Sequence, residues 1–262
     1  MTKSKNVTKR KFYIITGVLA LLIMQSCGTK KEILYFQDAK VNSNYSSVFT
    51  NTNIQINDIL DIKVSAKTIE AAAPFNTEIY SSAALNVDIL KIKGYLVDAN
   101  GNITFPILGT VNVTDKTTAE LEQFIKNKLI NDGQLLDAVV TIRLLNAKIT
   151  VLGEVNRPGT FNLMEQNITL LQALGLAGDL TINGQRTDVL LIRMEGNNKT
   201  ITKIDMTKTD WFNTPNFFVK NNDVIVVNPN NSKVKSSSYL GNPVTILTIA
   251  SLVLSSIIII TR

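Results

Sequence analysis

Hydrophobic and polar positions along this chain change period several times, and each change marks a boundary. A basic segment up to Lys11 precedes an apolar run from Phe12 to Met24, which stops at Gln25-Ser26-Cys27-Gly28. That run is too short for the ~20 residues of a spanning helix and suits the core of a signal peptide over residues 1–26. Residues 27–53 are polar and rich in Asn, Ser and Lys, apart from Ile33-Leu34-Tyr35-Phe36. They read as a tether with one docking patch.

Residues 54–146 read as a first α+β domain. Ile54, Ile56, Ile59, Leu60, Ile62 and Val64 give strand patterning interrupted by the turn pair Asn57-Asp58. Two short strands are expected around Asn100-Gly101, a strong hairpin signal because both residues accept positive φ. Thr117 and Glu120 form a capping box opening a helix with Leu121, Phe124, Ile125 and Leu129 on one face, and Gly133 stops it. Ala138 to Leu145 is strand-like again. The stretch from Thr68 to Ile89, with Ala71-Ala72-Ala73-Pro74 and Ser81-Ser82, reads as a long irregular insertion.

Residues 147–230 form a second unit. Ile149 to Val155 is a strand, Asn156-Arg157-Pro158-Gly159 a turn, and Thr169 with Gln172 a second capping box. The helix it opens carries Leu170, Leu171, Leu174 and Ala177 and ends at Gly178. Strands follow at Val189–Ile192, Ile201–Ile204 and Val224–Val227, a pattern that fits a ubiquitin-like β-grasp.

In the tail, residues 231–262, Val244 to Ile260 runs without a charge behind Asn242-Pro243, a helix N-cap and first position. As a helix it is about 26 Å long, which suits a thin outer membrane, so one C-terminal transmembrane α-helix is expected. Thr245, Thr248, Ser251, Ser255 and Ser256 share one side of the helical wheel. They face a neighbouring helix or water, or they bond their own backbone carbonyls.

Composition removes whole classes of chemistry. With 45% hydrophobic and 18% charged residues the chain is foldable. It has no His and 1 Cys, so histidine-based triads, imidazole metal sites and intrachain disulfides are excluded. The net charge of +6 sits mostly on Lys3, Lys5, Lys9, Arg10 and Lys11. Removing the leader leaves a nearly neutral body, so no nucleic-acid partner is expected. No P-loop, dinucleotide fingerprint or metal motif is present, and no carboxylate pair stands out. No enzyme, cofactor or metal is expected. Trp211-Phe212 and Phe217-Phe218 read as core packing or a subunit interface.

Two resemblances give these blocks a context. Ser26-Cys27 after the apolar core resembles the lipobox of bacterial lipoproteins, which implies acylation (palmitate-type) of Cys27. Asn57-Asp58-Ile59-Leu60-Asp61-Ile62, together with Val97-Asp98, Gly101, Ile103, Pro106 and Leu108-Gly109, resembles the polysaccharide-export domain of outer-membrane capsule and exopolysaccharide exporters. Val151-Leu152-Gly153-Glu154-Val155 with Pro158-Gly159, Thr169 to Leu174, Gly178, and Asn222-Asp223-Val224 resembles an SLBB β-grasp domain. Asp58, Gly101, Pro106, Gly109, Gly153, Pro158, Gly159, Gly178 and Asp223 are read as turn, loop and close-approach residues of those motifs rather than as ligand contacts.

The resemblance implies a polysaccharide-export domain followed by a β-grasp SLBB domain in a lipid-anchored outer-membrane protein with a periplasmic body. A homo-oligomeric ring of such chains would form a channel for capsular or extracellular polysaccharide, its C-terminal helices walling the pore. An inner-membrane polysaccharide co-polymerase, often a tyrosine autokinase, is the implied partner. The alternative is an envelope-anchored glycan-binding or scaffold protein without a pore.

Overall fold

The computed structural model describes residues 30–46, 51–76, 91–165, 167–196, 198–237 and 243–261. The leader, Cys27 and Asn242 lie outside the described residues.

The first domain is built on β1 (Ile59–Ser65), whose alternating burial puts Leu60, Ile62 and Val64 inside. It pairs antiparallel with β5 (Val139–Leu144) along most of its length and with β2 (Tyr95–Leu96) at one end only. Helix α2 (Thr118–Asn131) starts at the Thr117/Glu120 capping box, which is fully formed, and buries Leu121, Ile125 and Leu129. Phe124 does not join them. It sits at the rim of the stripe, is 41% exposed, and takes the Lys116 ammonium over its ring at 5.7 Å.

The hairpin expected at Asn100-Gly101 is displaced. A turn is there, with Gly101 at φ +74, but β2 pairs with β1, and β3 (Asn102–Phe105) pairs with β4 (Gly109–Asn112). The Asp98 carboxylate accepts from the amides of Asn100 and Asn102, both at 2.8 Å, and this side-chain turn redirects the chain away from β2. Of the segment read as an irregular insertion, the described part forms a short helix, α1 (Ile69–Ala72), and a 3-10 turn, Ala73–Phe75; residues 77–90 lie outside.

The second domain is a five-stranded mixed sheet in the order β10-β9-β12-β6-β7. Its strands are β6 (Lys148–Gly153), β7 (Gly159–Asn162), β9 (Gly184–Glu195), β10 (Asn198–Ile204) and β12 (Val224–Pro229). The β12–β6 pair is parallel and the rest antiparallel. Helix α3 (Leu170–Leu176), opened by the Thr169/Gln172 capping box, buries Leu170, Ala173 and Leu174 in the same core as Ile149, Val151, Leu191 and Ile225. A two-stranded ladder, β8 (Ile168–Thr169) with β11 (Phe218–Val219), closes one end.

Beyond the sheet lie α4 (Asn231–Ser237), where a linker is expected from the sequence, and α5 (Pro243–Thr261), which runs from Val244 through Ile260. The fold is mixed α+β, but the transmembrane helix expected at the C-terminus is not found: among the described residues no helix is long and apolar enough to cross a membrane. The 19 residues of α5 rise only about 28 Å, under the ~30 Å of a hydrocarbon core. Hydroxyl residues also interrupt its apolar surface. Thr248, Ser251 and Ser256 bond carbonyls of their own helix, those of Val244, Thr248 and Leu252.

Candidate functional site

Two places gather polar side chains: the junction of the domains, where the motif residues Asp58 and Asp223 stand, and the part of the second domain where the tether docks. At the junction, each domain contributes an Asn-Asp turn. Asn57 (φ 69) and Asn222 (φ 65) both take the left-handed conformation that short polar side chains tolerate. In each turn the following aspartate accepts the backbone amide three residues upstream at 2.8 Å, Asp58 from Gln55 and Asp223 from Lys220. The turns face one another. Asn221 Nδ2 donates to Asp58 Oδ1 at 2.9 Å, and Asn222 Nδ2 to Gln55 Oε1 at 3.1 Å. Asn146 ties the link between domains to the first turn, accepting from Ile59 N at 2.9 Å and donating to Asn57 O at 2.8 Å.

The two carboxylates differ in their partners. Asp223 is held by Arg193 through Nε to Oδ1 at 3.0 Å and Nη2 to Oδ2 at 2.7 Å, with both side chains buried. Asp58 is buried too, but its bonded partners are neutral. Desolvation therefore pushes its pKa up to about 6, against the pull of the Gln55 and Asn221 hydrogen bonds. Burial also pushes Asp223 upward, with Arg193 opposing it. Beside this junction lies a cleft of about 140 Å³ whose walls come from both domains, among them Thr118, Leu144, Leu163, Glu165 and Asn221.

The glycines and prolines have steric duties. A side chain at Gly101 would collide with Thr114, and one at Gly153 (φ +89) with the Val227 carbonyl of the adjacent parallel strand. Pro106 and Gly109 flank the β3–β4 turn, and Leu108 N bonds Pro106 O at 2.7 Å. Pro158 and Gly159 lead from the Asn156-Arg157 turn into β7. That turn covers the end of α3: Arg157 donates to Leu176 O at 2.9 Å and Asn156 to Gly178 O at 2.6 Å.

At the second of these places the tether docks. Phe36 N and Gln37 N donate to Met206 O (3.2 Å) and Thr207 O (2.7 Å). The Phe36 ring lies 5.1 Å from Phe212, and Tyr45 packs on the same ring at 5.2 Å. Trp211, Phe212 and Phe217 complete an aromatic cluster. The Tyr35 hydroxyl donates to Asp179 Oδ1 at 2.6 Å, and its ring lies 5.2 Å from the Arg186 guanidinium. Burial, then the Asp179 bond and charge, push the phenol above its ordinary pKa. Arg186 is 6% exposed and donates through Nη1 to the carbonyls of Gly184 (3.1 Å) and Thr181 (3.4 Å). Its Nε is the one buried side-chain polar atom among the described residues with no hydrogen-bond partner.

Sequence reasoning missed Asp179, Arg186 and Arg193 as site residues. The apolar cluster in a polar tether was the signal for Tyr35 and Phe36, and arginines flanking the apolar run Val189–Ile192 were the signal for Arg186 and Arg193; Asp179 carried none. Among the described residues no group of His, Cys, Asp or Glu is arranged to hold a metal.

Comparison with known proteins places these domains. Residues 46–145 match the family described as polysaccharide biosynthesis/export protein, and residues 148–205 match the SLBB domain. The chain is 27% identical over 161 residues to the EPS I polysaccharide export outer membrane protein EpsA of Ralstonia nicotianae, a match covering 60% of this chain and 41% of that one. It is 26% identical over 162 residues to the capsule polysaccharide export outer membrane protein CtrA of Neisseria meningitidis, covering 59% and 41%. The match thus spans about two fifths of the length of these curated relatives. Both are named for export, and neither name is that of an enzyme. The chain therefore carries, over residues 46–145, a region similar to the polysaccharide biosynthesis/export family, followed over residues 148–205 by one that matches the SLBB domain.

Proposed function

We propose that this protein is a lipid-anchored outer-membrane component of a polysaccharide exporter. Copies of it assemble as a closed ring whose periplasmic domains surround a hydrated passage for capsular or extracellular polysaccharide. A closed cyclic arrangement lets one modest chain enclose a conduit wider than itself. Transport through it is passive, and an inner-membrane polysaccharide co-polymerase, of the tyrosine-autokinase type, supplies polymer and control. No step of this function requires bond making by the protein.

The observation that carries the reading is the docked tether. Tyr35 is fixed to the second domain through Asp179. The chain from Tyr35 back to Cys27 reaches at most ~29 Å at 3.6 Å per residue. An acylated Cys27 therefore holds the second domain beside the membrane, with the export domain on its far side, the order an export conduit needs. Acyl chains on Cys27 suffice for anchoring, since each buried methylene contributes ~0.8 kcal/mol.

The test combines anchoring, assembly and export. Cys27→Ser should lose palmitate labelling and leave the outer-membrane fraction, and a strain lacking the protein should show no surface polymer. Mature protein extracted in native lipid should image as rings of uniform size. Normal surface polymer in the deletion strain overturns the export reading, and monomers in native lipid overturn the ring in favour of an anchored scaffold.

A further inference from the structure

The place where Tyr35 docks is built of polar groups that an aromatic ring serves badly. Arg186 is buried, its charge is not matched by any ion pair among the described residues, and its Nε points at no acceptor. The ring face of Tyr35 satisfies the guanidinium's charge in part but offers Nε no lone pair. Asp179 does find a partner there, the Tyr35 hydroxyl. A carboxylate accepting one hydroxyl, an arginine Nε lacking an acceptor, and the ring of Phe36, itself seated on Trp211 and Phe212, together suit a ring that carries several hydroxyls and an apolar C–H face.

We propose that Tyr35 sits in a saccharide subsite of the second domain, as an internal stand-in for a neutral pyranose unit of the exported polymer. This rests on the polysaccharide-export reading and adds to it a named contact. The sugar takes the place of the phenol: one hydroxyl donates to Asp179, a ring or hydroxyl oxygen accepts from Arg186 Nε, and a C–H face lies on the ring of Phe36, 5.6 Å from the Tyr35 ring. Asp179 and Arg186 bring one charge of each sign to the site, which is neutral as a whole and suits an uncharged unit.

The hold of the tether on this site is local. It includes two backbone bonds, the hydroxyl bonds of Tyr35 and Tyr45, the Tyr35 ring on Arg186 and the packing of Phe36 and Tyr45 on Phe212. Phe36 is also kept at φ 49, a conformation that disfavours a bulky side chain. Segments with so few buried contacts open first. Occlusion by the tether lowers the apparent sugar affinity by the fraction of molecules in which it is lifted.

Trp211, the single tryptophan, lies 6.4 Å from the Phe36 ring beside the site and reports on it through that ring. Full-length mature protein is titrated with D-glucose, D-galactose and D-mannose, and separately with D-glucuronate, while tryptophan emission is followed. In Tyr35→Ala the neutral sugars should act at concentrations at least tenfold lower than in wild type, and glucuronate should act more weakly than they do. Tyr35→Phe, which keeps the packing, should shift the response severalfold in the same direction. Adding Arg186→Gln to Tyr35→Ala should abolish it, with near-ultraviolet circular dichroism checking that the fold is retained. Tyr35 variants that respond no better than wild type overturn the proposal, as does a response that survives Arg186→Gln. Surface polymer in the deletion strain is scored independently, so the export reading can fail without this one.

Discussion

The two Asn-Asp turns show one local structure put to two electrostatic uses. Both place an asparagine in the left-handed region, and both close an aspartate onto the amide three residues back. At Asp223 the neighbouring strand supplies Arg193, and the turn becomes half of a buried ion pair inside one domain. At Asp58 the neighbour is the other turn, which supplies the amide of Asn221, and the turn becomes a carboxylate–amide hydrogen bond between domains, with a partner that carries no charge. Local sequence sets the loop, and the partner sets the charge. The ion-paired turn belongs to the second domain's own stability, whereas the turn without a cation makes the junction sensitive to pH.

The comparison breaks most visibly at Arg193. Arg193→Met leaves Asp223 buried without its cation and removes the bond to Phe218 O. We expect a loss of about 3–5 kcal/mol in denaturant unfolding at neutral pH. A loss below ~1 kcal/mol would mean that the pair is hydrated. Asn221→Ala is the counterpart at the other turn. It strands Asp58 Oδ1 and the Lys148 amide, and should cost roughly 2–3 kcal/mol. Because the Asn221 bond lowers the Asp58 pKa, its loss should also move the acid-side titration of stability upward in pH.

Asp58 itself sharpens the contrast. Its folded pKa, about 6, lies above the ordinary 3.8, so between these values the folded state binds the extra proton. Stability from this group is therefore present below pH ~3.8 and is lost as pH rises through ~6, a change of order 3 kcal/mol. Asp58→Asn should flatten that part of the stability profile measured from pH 4 to 7. An unchanged slope would show that Asp58 is not its source. The smallest effect belongs to the asparagines. Asn57→Gly should change stability by at most about 0.5 kcal/mol, because asparagine already tolerates the left-handed conformation that glycine adopts freely, whereas Asn222→Gly should cost about 0.5–1.5 kcal/mol through the lost bond to Gln55 Oε1.

What was legible in the sequence was local. Thr117 with Glu120 and Thr169 with Gln172 spelled out two helix starts because both halves of each capping box lie within one turn. The alternation of β1 showed which of its faces is buried. The hairpin at Asn100-Gly101 misled because Asp98 competes for the same amides. The uncharged tail read as a membrane span because composition outweighed length and its hydroxyl residues, and the helix that forms falls short.

The sequence by itself determined the turns, the helix starts and the order of two domains, since each depends on groups a few residues apart. Packing alone decided that Tyr35 meets Asp179 and Asn221 meets Asp58, contacts separated by 144 and 163 residues. It also decided that Arg193 rather than another cation reaches Asp223. Such pairs are chosen when sheets and loops come together, and a buried charge accepts whichever partner that assembly brings within about 3 Å.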